Sequence, residues 1–163
     1  MKITKSKRGQ AWGIDLMVAS MMFIGGIVVF YLYSLNAADQ TEEVLNKLSY
    51  DGNLIAKIIL SEGFPKNWDE QNVVTPGILT ENKIDQNKLE QLYNLSQNQY
   101  ERTKYLLNTN YNYYIFLSEK ITINGEEKDG IGSLPQNPTN LVKINRITIY
   151  KEKPVNLNIY VWQ

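Results

Sequence analysis

The side chains available for chemistry in this chain are mainly carboxylates, because the sequence contains neither cysteine nor histidine. Disulfides, thiolate or imidazole metal ligands, a cysteine nucleophile and a Ser-His-Asp relay are therefore excluded. Acids gather at Asp69-Glu70 and at Glu126-Glu127 with Asp129. Their spacing does not single out the two flanking carboxylates that a hydrolase needs. We therefore predict no catalytic residues, no cofactor and no cofactor-binding residues, so the chain is not an enzyme.

Ion and nucleic-acid binding receive little support from the sequence. Residues 124–130 (NGEEKDG) carry oxygen ligands and glycines, but they lack the ordered spacing of a twelve-residue calcium loop and include Lys128. A solvated turn is the simpler interpretation, and we predict no metal ligands. Lys and Arg together equal Asp and Glu at 17 each, so the net charge is zero. This balance predicts no nucleic-acid partner.

Two further features are candidates for modification or binding. Asn94-Leu95-Ser96 is a sequon for N-glycosylation, although Ser96 could instead cap a helix with Gln99 in the capping-box position. Tyr111, Tyr113 and Tyr114 could form a carbohydrate-binding patch, and ordinary strand packing of these rings is the alternative.

The elements that must carry these residues are organised around one apolar segment. Leu16 to Leu35 contains no charge, and twenty helical residues span about 30 Å, the thickness of a hydrocarbon core. Lysines and Arg8 precede the segment, and acids follow it. The positive-inside rule therefore predicts a cell-membrane protein with a cytoplasmic N-terminus and an extracellular C-terminal part. The lipid bilayer is its first expected partner.

The apolar segment admits three processing alternatives. A secretory signal has an apolar core of only about 7–15 residues before its cleavage site, so this run is too long, although residues 34–38 (SLNAA) offer a weak site. A plain uncleaved anchor is the second alternative. The third depends on a motif that stands just before the helix.

That motif is KRGQ at positions 7–10, followed by Asp15 and the apolar run. It resembles the class III signal peptide of archaeal type IV pilins and their relatives. The resemblance implies that a prepilin peptidase cuts between Gly9 and Gln10 and that the apolar helix is retained. The family usually places a Glu four residues after the first mature residue, whereas here Ile14 holds that position and the acid is Asp15.

The resemblance also implies roles for residues in the helix. Asp15 would pair with the free amine of Gln10 on a neighbouring subunit and so set the axial register of a filament. The alternatives are that Asp15 reaches the headgroup layer or caps the start of the helix. The pair Gly25-Gly26 could loosen the helix or serve as a packing notch.

The sequence after the apolar segment predicts a globular head. Apolar residues recur at helical spacing from Val44 to Ile59, so one helix over 11–61 is expected, with Asp51-Gly52-Asn53 as a point where it could bend or break. A short helix over 86–94 capped by Asp85 and a second helix to about Leu107 follow. Glu126 to Asn140 is expected to be an exposed loop.

The C-terminal strands complete the head. Tyr111–Leu117, Ile121–Ile123, Leu141–Tyr150 and Val155–Trp162 are predicted strands, the last with one apolar face. The fold class is therefore α+β and pilin-like, with a long N-terminal helix whose amphipathic half packs on a small antiparallel sheet of three to five strands. The predicted divisions are a leader over 1–9, a transmembrane helix over 10–36 and a head over 37–163.

Two functions fit this organisation. The first is a pilin-like subunit, major or minor, of a surface filament, with roles in assembly or adhesion and with self-association or other pilin-like subunits as partners. The second is a single-pass, membrane-anchored extracellular binding module that does not polymerise. Cleavage of the leader distinguishes the two.

Overall fold

The structure, a computed structural model, describes the backbone of residues 8–163 and the side chains of residues 12–35 and 41–163. It is α+β, and the chain divides into two compact units between Glu43 and Val44. The helices are α1 (Arg8–Ile59), α2 (Gln86–Asn98) and α3 (Tyr100–Leu106), and the strands are β1 (Leu79–Thr80), β2 (Lys83–Ile84), β3 (Asn112–Leu117), β4 (Ile121–Ile123), β5 (Glu126–Lys128), β6 (Ile131–Gly132), β7 (Leu141–Tyr150) and β8 (Lys153–Trp162).

The first unit contains the apolar part of α1. The sequence predicted a helix over 11–61, and the structure has one continuous helix from Arg8 to Ile59. Neither Gly25-Gly26 nor Asp51-Gly52-Asn53 ends it, so the continuous helix is confirmed and the possible break at Asp51-Gly52-Asn53 does not occur. Most of the predicted leader, residues 1–7, lies outside the described residues.

The second unit is built around a curled six-stranded sheet with the strand order β1-β2-β7-β8-β3-β6. All neighbouring strands are antiparallel except β2 and β7, which pair in parallel at Lys83 and Ile149. The predicted closing hairpin is confirmed as β7 and β8. Its turn is Lys151-Glu152, where both residues have positive φ, as a two-residue hairpin that matches strand twist requires.

Two predictions for the second half of the head are wrong. The sheet has six strands rather than three to five, because two short strands from residues 79–84 extend one edge. The region predicted as an exposed loop over 126–140 contains β5, which pairs with β4 across the turn at Asn124-Gly125, and β6, which adds to β3. These additions are only two or three residues long, too short to display the apolar alternation that marks a strand in sequence.

The core of the second unit lies between the last four turns of α1 and the sheet. Leu48, Ile55 and Ile59 are fully buried, as their helical spacing predicted. Gly52 lies inside the helix where the sheet comes close: a Cβ placed there would stand 2.7 Å from Cγ1 of Ile144, so glycine permits this approach of helix and sheet. Nearby, Nη2 of Arg146 donates to Oδ1 of Asn53 at 2.6 Å.

The helical hairpin also departs from prediction at one residue. Asp85 caps α2 as expected, because its carboxylate accepts hydrogen bonds from the backbone N–H groups of Asn87 and Lys88. Ser96 does not cap the second helix. It lies buried inside α2, which runs on to Asn98, and the chain turns at Gln99 instead.

Candidate functional site

The largest unexplained surface of the described chain is the apolar segment Trp12–Leu35 of α1. This 24-residue segment has a mean hydropathy of 2.1, and none of the segment is buried within the protein. Exposed fractions reach 82% for Trp12, 70% for Phe23 and 74% for Tyr33. Soluble monomers rarely expose apolar surface on this scale, so such a patch marks an interface. By length and composition this helix could cross a membrane, and a signal sequence would satisfy the same criteria.

One acid lies within this apolar surface. Asp15 is exposed and stands about two turns after the start of α1 at Arg8, outside the first helical turn. The alternative that it caps the helix is therefore wrong. A Cβ placed on Gly25 or Gly26 would meet nothing within 4 Å, so both glycines face open space in the described chain. The register role of Asp15 stays a prediction.

The expected cleavage site lies at the beginning of the same helix. Gly9 and Gln10 have helical backbone in the first turn of α1, and their side chains are outside the described residues. The predicted cut between them is therefore unchanged by the structure and stays a prediction.

Of the acids considered as candidate ligands, Glu126 and Glu127 lie on strand β5, and Asp69 and Asp129 lie in exposed connections. Oε2 of Glu126 is 2.6 Å from Nζ of Lys128, and this hydrogen bond lowers the pKa of Glu126 and raises that of Lys128. Oδ1 of Asp69 accepts from the backbone N–H groups of Gln71 and Asn72. Among the described residues, no three acidic side chains are grouped so that they could hold a metal ion.

The proposed tyrosine patch is wrong, because its central rings are buried. Tyr113 has no exposed surface, and Tyr114 is 8% exposed. The hydroxyl of Tyr113 is 2.9 Å from Oγ of Ser96, and its ring stacks on Tyr100 with 5.1 Å between centroids. Burial raises the pKa of Tyr113 well above the usual value, with the hydrogen bond from Ser96 opposing this shift. Tyr113 therefore stabilises the packing of β3 against α2 through Ser96, and Tyr100 stacks on its ring.

The candidate glycosylation site lies where α2 packs against β3. Asn94 is half-buried within α2, and the hydroxyl of Ser96, the third residue of the sequon, is engaged with Tyr113. Glycosylation of Asn94 stays a prediction.

Lys88 is a structural residue that the sequence did not single out. It is buried, and its Nζ donates to the backbone oxygens of Glu62 and Leu79, each at 2.8 Å. The ammonium thus joins the chain just after α1 to the start of β1. A lysine on an amphipathic helix normally faces solvent, so this role could not be predicted from the position of Lys88 in the chain.

Comparison of the chain with protein-family models, curated proteins and solved structures finds no match.

Proposed function

We propose that the chain is a pilin-like structural subunit, major or minor, of an archaeal type IV pilus-like surface filament, with roles in assembly or adhesion. The observation that carries this proposal is the helix Trp12–Leu35, whose apolar side chains are not buried by the protein itself. Water is an unfavourable environment for such a surface. A lipid bilayer before assembly, and the corresponding helices of neighbouring subunits after it, would cover these side chains.

The charges that flank the helix support an orientation. Lys2, Lys5, Lys7 and Arg8 precede it, and Asp39, Glu42 and Glu43 follow it. Basic residues favour the cytoplasmic side, so the N-terminus is cytoplasmic and the head is extracellular. In this position Gly9 and Gln10 are accessible to a prepilin peptidase on the cytoplasmic side.

Asp15 supports assembly rather than simple anchoring. A carboxylate within an apolar helix disfavours insertion by about 3 kcal/mol at the bilayer centre, and by less near the interface. Cleavage after Gly9 would create a free amine at Gln10. That amine, on a neighbouring subunit, would neutralise the carboxylate of Asp15 and align the two helices.

N-terminal sequencing of the protein purified from native membranes tests the processing step. The proposal expects a mature chain that starts at Gln10. An intact Met1 would contradict it and would favour the anchored binding module that does not polymerise. A chain that starts after residue 34 would contradict both, because the apolar helix would then be a removed signal.

Replacement of Asp15 tests the assembly step. Asp15→Ala is expected to insert into the membrane at the parent level but to be depleted from sheared filaments, since no carboxylate remains to pair with the amine. Glu42→Ala is the matched control, because Glu42 is an exposed acid on the same helix beyond the apolar segment. Equal filament yield from both variants and the parent would show that Asp15 has no register role.

A further inference from the structure

The exposed side of α2 carries a row of amide side chains. Asn87, Gln91, Asn94 and Asn98 follow one another at intervals of four, three and four residues. Residues with this spacing share one face of a helix. The opposite face is apolar, with Leu89, Leu92 and Leu95 in the core. This row carries amides only, whereas the solvated face of a helix usually also carries charged residues.

Two residues of this row line clefts in the surface: Gln91 lines two clefts, and Asn87 lines the smaller of them. The larger has a volume of about 500 Å³, and the smaller about 260 Å³. We name the two together the amide groove. The larger cleft is lined by Asp69, Glu70, Gln71, Gln91, Gln99 and Arg102, and the smaller by Asn67, Trp68, Asp85, Asn87, Lys88 and Gln91.

The loop that forms the far wall of the groove is held in place by its own hydrogen bonds. Nη1 of Arg102 donates to the backbone oxygen of Glu70 at 2.7 Å. Asp69 and Asn72 exchange hydrogen bonds between side chain and backbone, and the indole of buried Trp68 donates to the backbone oxygen of Gly77 at 2.8 Å. A wall ordered before binding reduces the entropy that a ligand must overcome.

The groove also presents polar groups without an internal partner. Within the part of the chain that the structure describes, the side-chain amides of Gln71, Gln91 and Asn87 make no hydrogen bond. Gln99 uses its oxygen to accept from Arg102, which leaves its NH₂ group available. Each free amide offers donors and an acceptor side by side.

We propose that the amide groove binds a neutral oligosaccharide of hexopyranose units. A sugar hydroxyl is both donor and acceptor, so two vicinal hydroxyls match one amide group. The groove is lined by three carboxylates, whereas its two cations, Arg102 and Lys88, already donate to backbone oxygens, so an anionic ligand is disfavoured. No broad apolar wall is present to select an apolar ligand. A few net hydrogen bonds of about 1 kcal/mol each give a dissociation constant of about 1 mM.

Side-chain amide resonances give a direct readout of this site. The full chain is kept in phosphocholine micelles, since a detergent with a sugar headgroup would compete. The probes are maltotetraose, cellotetraose, mannotetraose and the tetramer of N-acetylglucosamine, each raised to about 10 mM, well above the expected dissociation constant. At least one probe is expected to shift the NH₂ signals of Gln71, Gln91 and Gln99. No shift with any of the four would overturn the proposal.

Matched glutamine variants test whether the groove itself is the site. Gln91→Leu and Gln71→Leu remove one amide from each wall and are expected to weaken binding about tenfold, the loss of one or two hydrogen bonds. Gln97→Leu is the control, because Gln97 is exposed on α2 and lines neither cleft. Equal binding by the three variants would contradict the proposal. So would tighter binding of tetralysine than of every sugar, which would identify a site for cationic peptides.

Discussion

Two stretches of α1 contain the same kinds of apolar side chain but place them in opposite surroundings. In residues 12–35, Ile24 is 59% exposed and Ile27 is 51% exposed. In residues 44–59, Ile55 and Ile59 are fully buried. The second stretch covers only one face with apolar residues and leaves the others polar, whereas the first is apolar on every face.

This contrast shows where each stretch finds its stabilisation. Residues 44–59 bury their apolar face against the sheet of the same chain, so the head stabilises itself. Residues 12–35 have no partner within the described chain. Under the proposed function, the same helix serves folding in one part and anchoring or assembly in the other, so substitutions in the two parts should affect different measurements.

The largest effect is expected from charges placed in the exposed apolar stretch. The double variant Ile24→Lys with Val28→Lys should lose membrane retention, because each lysine at a helix centre disfavours insertion by about 3 kcal/mol. Alkaline extraction of membranes, followed by detection of the chain in pellet and supernatant, measures this. Ile147→Lys with Leu134→Lys is the control, since these head residues are 75% and 61% exposed. Equal extraction of both double variants would refute the contrast.

Truncation of matched isoleucines should give the next largest effect. Ile55→Ala is expected to lower the free energy of unfolding of the head by about 2 to 5 kcal/mol, because it leaves a cavity in the core. Ile24→Ala should leave that free energy unchanged, since Ile24 makes no core contact. Denaturant titration followed by fluorescence of the buried Trp68 and Trp162 measures both. A similar loss in the two variants would show that residues 12–35 contribute to the head core.

The sequence predicted the strongly periodic parts of this fold. The 3.6-residue spacing in α1 and the alternation in β7 and β8 correctly indicated a helix packed against a hairpin. The Asp85 cap also followed from local chemistry. These features depend on contacts among near neighbours or on long repeating patterns, which a single sequence displays.

Other features could not be predicted because they depend on distant residues. Serine is a residue type that often caps helices, but the hydroxyl of Ser96 is hydrogen-bonded to the hydroxyl of Tyr113, seventeen positions away. In the sequence alone, Gly52 suggests a break in the helix. In the structure it lies beside Ile144, and a Cβ at this position would crowd that side chain. The amide groove combines α2 with a loop near Asp69. The spacing of the amides along α2 can be seen in the sequence. That the loop near Asp69 packs opposite them cannot, because this depends on the tertiary structure.

Gly52 and Gly26, one in each stretch of α1, offer a finer test of the contrast between residues 44–59 and residues 12–35. Gly52→Ala should destabilise the head by about 1 to 3 kcal/mol, because its Cβ would crowd Cγ1 of Ile144, and the better helix propensity of alanine offsets only part of this. Gly26→Ala meets open space and should not affect head unfolding. Denaturation midpoints compare the two. Unchanged stability of Gly52→Ala would mean that helix and sheet are farther apart than described.

The smallest effect concerns Tyr113 within the head. Its folded-state pKa lies above the usual 10.0, so the unfolded chain loses the proton first and the free energy of unfolding falls as pH rises above about 10. Tyr113→Phe should be about 1 kcal/mol less stable at neutral pH, because the hydroxyl of Ser96 loses its partner. The difference from the parent should shrink in alkaline solution. Urea titrations near pH 8 and pH 11 measure this, and a constant difference would contradict the pKa shift.

Single-cysteine labelling tests the central contrast most directly, because the natural chain contains no cysteine. Ile24→Cys and Tyr50→Cys replace side chains that are 59% and 70% exposed on the isolated chain. Membranes opened to both sides are treated with a charged maleimide. We expect Tyr50→Cys to be labelled and Ile24→Cys to react only after denaturation in detergent. Rapid labelling of Ile24→Cys in the membranes before denaturation would show that water reaches this part of the helix and would contradict the proposed membrane location.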